Sequence, residues 1–234
     1  MNSPVKKQVR KMKTEVPGTT DKNGTGTGKI AIFGGTFDPI HNGHLAVAKA
    51  AYRQLHVDEV IFMPTKLRYY KKDKAGSEVY DRVAMLSLAI ADYDYMRFSD
   101  MELRARPSQN YTYLTLERLK KRYPDSELIF ILGGDSLEYL SSWREPEKLL
   151  HLATFAAAVR DDVDTERAKE LIGKYETDFP GSRFRLLRMK PCDISSTTIR
   201  NHAAEGKSIS GMVPDAVERY IQRNRLYTKS RGLV

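Results

Sequence analysis

The chain has 234 residues, 41% of them hydrophobic and 29% charged, with a formal net charge of +9. That is enough for one substantial α/β domain, and no apolar run approaches the roughly eighteen residues of a membrane span. The single cysteine, Cys192, excludes an intrachain disulfide. With no signal-like apolar segment, it points to a reducing, cytoplasmic setting.

The charge is uneven. The first 29 residues hold seven Lys or Arg against Glu15 and Asp21, which is +5 of the +9. Residues 1–28 lack periodic apolar positions and end in Asn23-Gly24-Thr25-Gly26-Thr27-Gly28. The composition predicts a disordered basic leader followed by one domain over 29–234. A nucleic-acid or membrane-surface contact is the alternative for the leader, and neither is taken here as a partner. The Gly-rich run before Lys29 is not a phosphate-binding P-loop, which needs a strand before it and Ser or Thr after the Lys.

From Ile30 onward the pattern alternates. Strands are predicted over Ile30–Phe33, Glu59–Met63, Met96–Ser99, Glu127–Leu132, Thr154–Val159 and Arg183–Leu187. Helices are predicted over Leu45–Leu55, Glu78–Ala91, Tyr111–Tyr123, Thr165–Tyr175, Ser196–Ala204 and Pro214–Asn224. Glu138–Leu150 reads as helical in two pieces broken near Trp143–Pro146, and Pro64–Ser77 as a basic, aromatic loop. Strands alternating with helices imply a Rossmann-like, doubly wound parallel sheet with helices on both faces. The strand order is not legible.

Chemistry concentrates where the first strand runs into its helix, at Gly34-Gly35-Thr36-Phe37-Asp38-Pro39-Ile40-His41-Asn42-Gly43-His44. A strand turning sharply into a helix exposes backbone N–H groups and the positive end of the helix dipole, an anion site. Glycine lets the backbone approach a phosphate closely. His41 and His44, three apart, share one face of the first helical turn. Cations there oppose the dipole unless a polyphosphate lies between them; a capping or packing role is the alternative for either histidine. Zinc needs further ligands, and His56, His151 and His202 supply no suitable spacing. A second stretch, Ile194-Ser195-Ser196-Thr197-Thr198-Ile199-Arg200, repeats the logic. Ser195 or Ser196 can cap a helix, and Arg200 is a cation near its positive end. Two such helix starts suggest a nucleoside triphosphate held between them, with positioning and charge stabilisation of a phosphoryl or nucleotidyl group as the catalysis.

These two stretches resemble the His-x-Gly-His and Ile-Ser-Ser-Thr-x-x-Arg motifs of the nucleotidyltransferase superfamily. Within it, the chain over residues 29–228 is most similar to bacterial nicotinate-nucleotide adenylyltransferases. The segments that carry this are Arg82–Ile90, Glu102–Leu116, Phe130–Trp143 and Met212–Tyr227. The resemblance implies adenylyl transfer from ATP to nicotinate mononucleotide, giving nicotinate adenine dinucleotide and pyrophosphate in NAD biosynthesis. It also implies Mg²⁺ bridged by the substrate phosphates rather than held by protein ligands. It further implies catalytic roles for His41, His44 and Arg200. Gly34, Gly35, Thr36, Phe37, Ile194, Ser195 and Ser196 would line the ATP phosphates, and Asp135 would lie near the adenosine. Lys71 or Lys72 would meet the acceptor phosphate, Trp143 would stack on the pyridine ring, and Thr112 would face its carboxylate. Other acceptors within the superfamily, nicotinamide mononucleotide or phosphopantetheine, and a non-catalytic nucleotide-binding module are the alternatives. The sequence departs from the family pattern at Leu67–Lys72, where a Pro-Pro-His-Lys-like run is usual, at Leu114, where Asp is common, and at Gly134.

Overall fold

The computed structural model describes residues 28–65, 76–106, 110–133 and 136–228. The expected leader, Lys71, Lys72 and Asp135 therefore lie outside the described residues, apart from Gly28. Among the described residues, six strands form one sheet: β1 Lys29–Gly35, β2 Glu59–Pro64, β3 Met96–Phe98, β4 Glu127–Leu132, β5 Thr154–Val159 and β6 Arg183–Arg188. All pairings are parallel, in the order β3-β2-β1-β4-β5-β6. The helices are α1 Asn42–Leu55, α2 Val79–Ile90, α3 Met101–Arg104, α4 Thr112–Arg122, α5 Pro146–Leu152, α6 Asp162–Asp178, α7 Ser196–Ala204 and α8 Asp215–Arg223.

Strand alternation sorts the apolar side chains into two cores. Ala31, Phe33, Val60, Phe62, Ile129 and Ile131 face one side, under Leu45 and Ala48 of α1, Met85 and Leu86 of α2, Ile199 of α7, and Val217 and Ile221 of α8. Ile30, Ile32, Ile61, Leu128, Phe130 and Leu132 face the other, under Leu116 of α4, Leu149 of α5, and Ala168 and Tyr175 of α6. The outer strands carry their own protection against pairing with other chains. One, β3, is three residues long. The other, β6, exposes Arg183, Arg185 and Arg188.

The strand order reverses direction between β1 and β4. In such a sheet the crevice beyond the carboxyl ends of these two strands is where ligands bind. The end of β1 is Gly34-Gly35, and β4 runs out into Gly133.

Several boundaries differ from expectation. Helix α1 begins at Asn42, three residues before Leu45, because His41 serves as its cap. Helix α6 extends three residues past each expected end; Asp161 caps it by accepting from the Asp164 N–H at 2.8 Å, and its first turn is polar. The Glu138–Leu150 stretch breaks where expected, since Glu145 has φ 54 and Pro146 opens α5, but its first piece is only a 3₁₀ turn, Leu140–Ser142. The one-turn helix α3 was not anticipated.

Candidate active site

The turn after β1 is set by Gly35 and Phe37. Phe37 sits in the left-handed region at φ 51. This folds its ring back into the core against Phe33, Phe62 and His44, with 2% of the residue exposed. A Cβ on Gly35 would lie 2.9 Å from that ring, so only glycine fits. The Phe37 side chain is thus a core element, and only its backbone is left to face a nucleotide.

His41 and His44 make a reciprocal cap. The His44 N–H donates to His41 Nδ1 at 3.4 Å, and the His41 N–H donates to His44 Nδ1 at 3.2 Å. Their rings stack 3.6 Å apart. The alternative of a capping histidine therefore holds for both at once. Because each Nδ1 accepts, each neutral ring carries its proton on Nε2 and keeps that N–H as a donor. Burial pushes the His41 pKa down to about 4. His44, packed on Phe33 and Phe37, is lowered well below its usual value by burial and then by His41. Without an anion beside them both histidines favour the neutral, donating form, since a low-dielectric wall disfavours imidazolium, in keeping with a cation being favoured there only by a polyphosphate.

That shift has a stability consequence. An unfolded His titrates near 6.5, whereas folded His41 titrates near 4. Between these values the unfolded chain binds more protons, so stability is full above about pH 6.5 and falls as the pH drops toward 4. Urea unfolding between pH 7 and 4 is expected to show this decline, with a shallower slope in His41→Asn. An equal slope in that variant would exclude His41 as its source.

The second motif folds onto the first. Ser195 caps α7, accepting from the Thr198 N–H at 3.0 Å. Ser196 Oγ donates to the Pro39 carbonyl at 2.9 Å, and Arg200 Nη1 to the Asp38 carbonyl at 2.8 Å. Arg200 Nη2 also reaches Thr197 Oγ1 at 3.2 Å. Residues more than 150 positions apart are thereby joined, and the starts of α1 and α7 lie on one short loop. At the start of α1 the Asn42 N–H donates to the Met212 carbonyl and the His44 N–H to His41, and at the start of α7 the Thr198 N–H donates to Ser195; the positive ends of the two helix dipoles still favour an anion there. Ile194 is half-buried beside this junction, packed on the same core as Ile199.

Beneath the loop lies a polar cluster that sequence reasoning missed. Asp38, 5% exposed, accepts from the Ser77 N–H at 3.1 Å, from Ser77 Oγ at 2.5 Å and from Tyr227 Oη at 2.7 Å. Burial and then Asp38 hold the Tyr227 hydroxyl protonated, with its pKa raised far above normal. Arg82, fully buried, donates Nη1 to the Thr36 carbonyl at 2.5 Å. The available signal was Arg82 itself, a cation in the first turn of a helix. The remaining predicted residues sit apart from this cluster. Thr112 opens α4, whose cap residue Tyr111 supplies no side-chain bond. Trp143, half-buried, meets Phe130 edge-on at 6.0 Å.

A parallel sheet whose order reverses between β1 and β4, with two polar helix starts joined beside the end of β1, is the arrangement of a nucleotide-handling α/β protein. Residues 32–202 match the cytidylyltransferase-like family model. The chain is 40% identical over 199 residues to a probable nicotinate-nucleotide adenylyltransferase of Lachnoclostridium phytofermentans, covering 85% of this chain and 98% of that one. It is 35% identical to the nicotinate-nucleotide adenylyltransferase of Bacillus subtilis, with the same coverage. The chain belongs to the nicotinate-nucleotide adenylyltransferase family. Its fold is also that of a Plasmodium falciparum nicotinic acid mononucleotide adenylyltransferase complexed with NaAD, at TM-score 0.69 and 23% identity, covering 86% of this chain and 97% of that one.

Proposed function

We propose that this protein transfers the adenylyl group of ATP to nicotinate mononucleotide, releasing pyrophosphate, as a step of NAD biosynthesis. The observation that carries this is the junction of the two helix starts through Ser196 and Arg200 on the Asp38–Pro39 carbonyls, beside two neutral Nε2–H donors. A triphosphate laid across that junction meets donors at both ends. The acceptor phosphate then attacks the α-phosphorus in line. His41 and His44 stabilise the charge that grows there, while Arg200 and the N–H groups of α7 receive the leaving pyrophosphate. Neutral imidazoles suit this task because they donate without a proton having to be gained first. Gly34, Gly35, Thr36 and the Phe37 backbone complete the phosphate wall, with Ile194, Ser195 and Ser196 opposite. Trp143 and the open start of α4 at Thr112 suit a pyridine ring and its carboxylate.

Among the described residues no group of three or more His, Cys, Asp or Glu side chains could hold a metal. The donors here are N–H and O–H groups, which fit phosphate oxygens. Mg²⁺ belongs with the triphosphate in this reading, where it would offset phosphate charge. No helix among the described residues is long and apolar enough to cross a membrane. With its single cysteine, the enzyme is proposed to work in the cytoplasm.

The test offers ATP and Mg²⁺ with nicotinate mononucleotide, nicotinamide mononucleotide or phosphopantetheine in parallel and measures pyrophosphate. Release is expected with nicotinate mononucleotide. Preference for the amide would reject the acceptor assignment, and no release with any acceptor would reject the enzyme.

A further inference from the structure

Arg82 is the fourth residue of α2, near the positive end of that helix, where a cation is electrostatically disfavoured. It is 0% exposed. Its Nη1 holds the Thr36 carbonyl, and among the described residues its Nε and Nη2 have no hydrogen-bond partner. Arginine is rarely buried unless paired, and an incompletely bonded buried guanidinium costs stability. Groups of this kind persist where function retains them.

The bond to Thr36 has a directional consequence. In a trans peptide the C=O and the following N–H point in opposite directions. With the Thr36 carbonyl turned toward the α2 side, the Phe37 N–H points away from it. Phe37, the residue that follows this carbonyl, sits in the left-handed region at φ 51. Asp38, next in sequence, is oriented separately by Ser77 and Tyr227, and it lies close enough for its charge to act on Arg82.

We infer that Arg82 is a positioning residue for ATP: it sets the Thr36–Phe37 peptide so that the Phe37 N–H faces the triphosphate, and its buried charge lies behind the turn that receives the anion. This rests on the proposed ATP site and deepens it, since Arg82 holds the Thr36 carbonyl from outside the motif, adding to what Gly35 and Phe37 impose on the turn.

The test compares wild type with Arg82→Lys, which keeps the charge but loses the planar fork, and Arg82→Gln, which removes the charge. ATP binding is measured by calorimetry without acceptor, and KM for each substrate and kcat are measured in turnover. The ATP Kd and KM are expected to rise roughly 10–100-fold in Arg82→Gln, by analogy with the loss of a residue that orients the ligands of a metal ion. A smaller rise is expected in Arg82→Lys, with KM for nicotinate mononucleotide nearly unchanged in both. A folded variant of lowered thermal stability but unchanged ATP Kd would assign Arg82 to the fold alone and overturn the inference, as would failure of both variants to fold. If wild type itself does not bind ATP, the ATP site falls, and this inference with it. If wild type binds and both variants bind equally well, only the role of Arg82 falls.

Discussion

His44→Ala is expected to lower turnover by about 10²–10³-fold, equivalent to about 3–4 kcal/mol of transition-state stabilisation, while the protein stays folded. The size follows from the kind of group removed. His44 Nε2–H is a fixed donor in a half-buried wall, oriented by the His41 N–H at its Nδ1 and by the rings of Phe33 and Phe37. Such a donor needs no reorganisation as negative charge develops on the α-phosphorus. Alanine also removes half of the reciprocal cap, so α1 loses roughly 1 kcal/mol as well, small against a typical folding free energy of about 5–15 kcal/mol. Circular dichroism and steady-state pyrophosphate release separate the two effects. Unfolding of the variant, or turnover within a few-fold of wild type, would return His44 to a purely capping role.

Asp38→Ala is expected to destabilise the fold by about 3–5 kcal/mol. Asp38 is buried and accepts from the Ser77 N–H, Ser77 Oγ and Tyr227 Oη, so alanine strands three donors in a dry interior. It also removes a negative charge that acts on buried Arg82. Asp38→Asn keeps an accepting oxygen and should lose markedly less. Chemical denaturation of the two variants measures the difference. Equal losses would mean that the carboxylate charge, and not its hydrogen bonds, holds the cluster together.

The motif residues could be read directly because their chemistry is local. Gly-Gly at a strand end, histidines three apart and Ser-Ser before a helix each have a short-range meaning. Sequence carries no burial, and it is burial, with Phe33 and Phe37 packed on His44, that favours the neutral form of both histidines. The inward packing of the Phe37 ring, which leaves only its backbone to line the phosphates, is likewise not legible in sequence. Arg82 was passed over because it sits among Val83, Leu86 and Ile90 at helical spacing, where it reads as one more helix residue. Ser77 and Tyr227 carry no local mark at all. They matter only because they meet Asp38 from 39 and 189 positions away. The late prediction of the start of α1 has the same origin: a histidine cap is not the Ser, Thr, Asp or Asn that usually announces a helix.

By itself, the sequence determined the alternation of strands and helices, and hence a parallel sheet with two covered faces, because apolar periodicity is a property of neighbouring residues. It determined the two anion-seeking helix starts for the same reason. The strand order, the meeting of α7 with the β1 turn, the protonation of the histidines and the Asp38 cluster were decided only in three dimensions. Each depends on contacts between residues far apart in the chain and on water excluded from between them, and neither distance in space nor solvent exposure is written in local pattern.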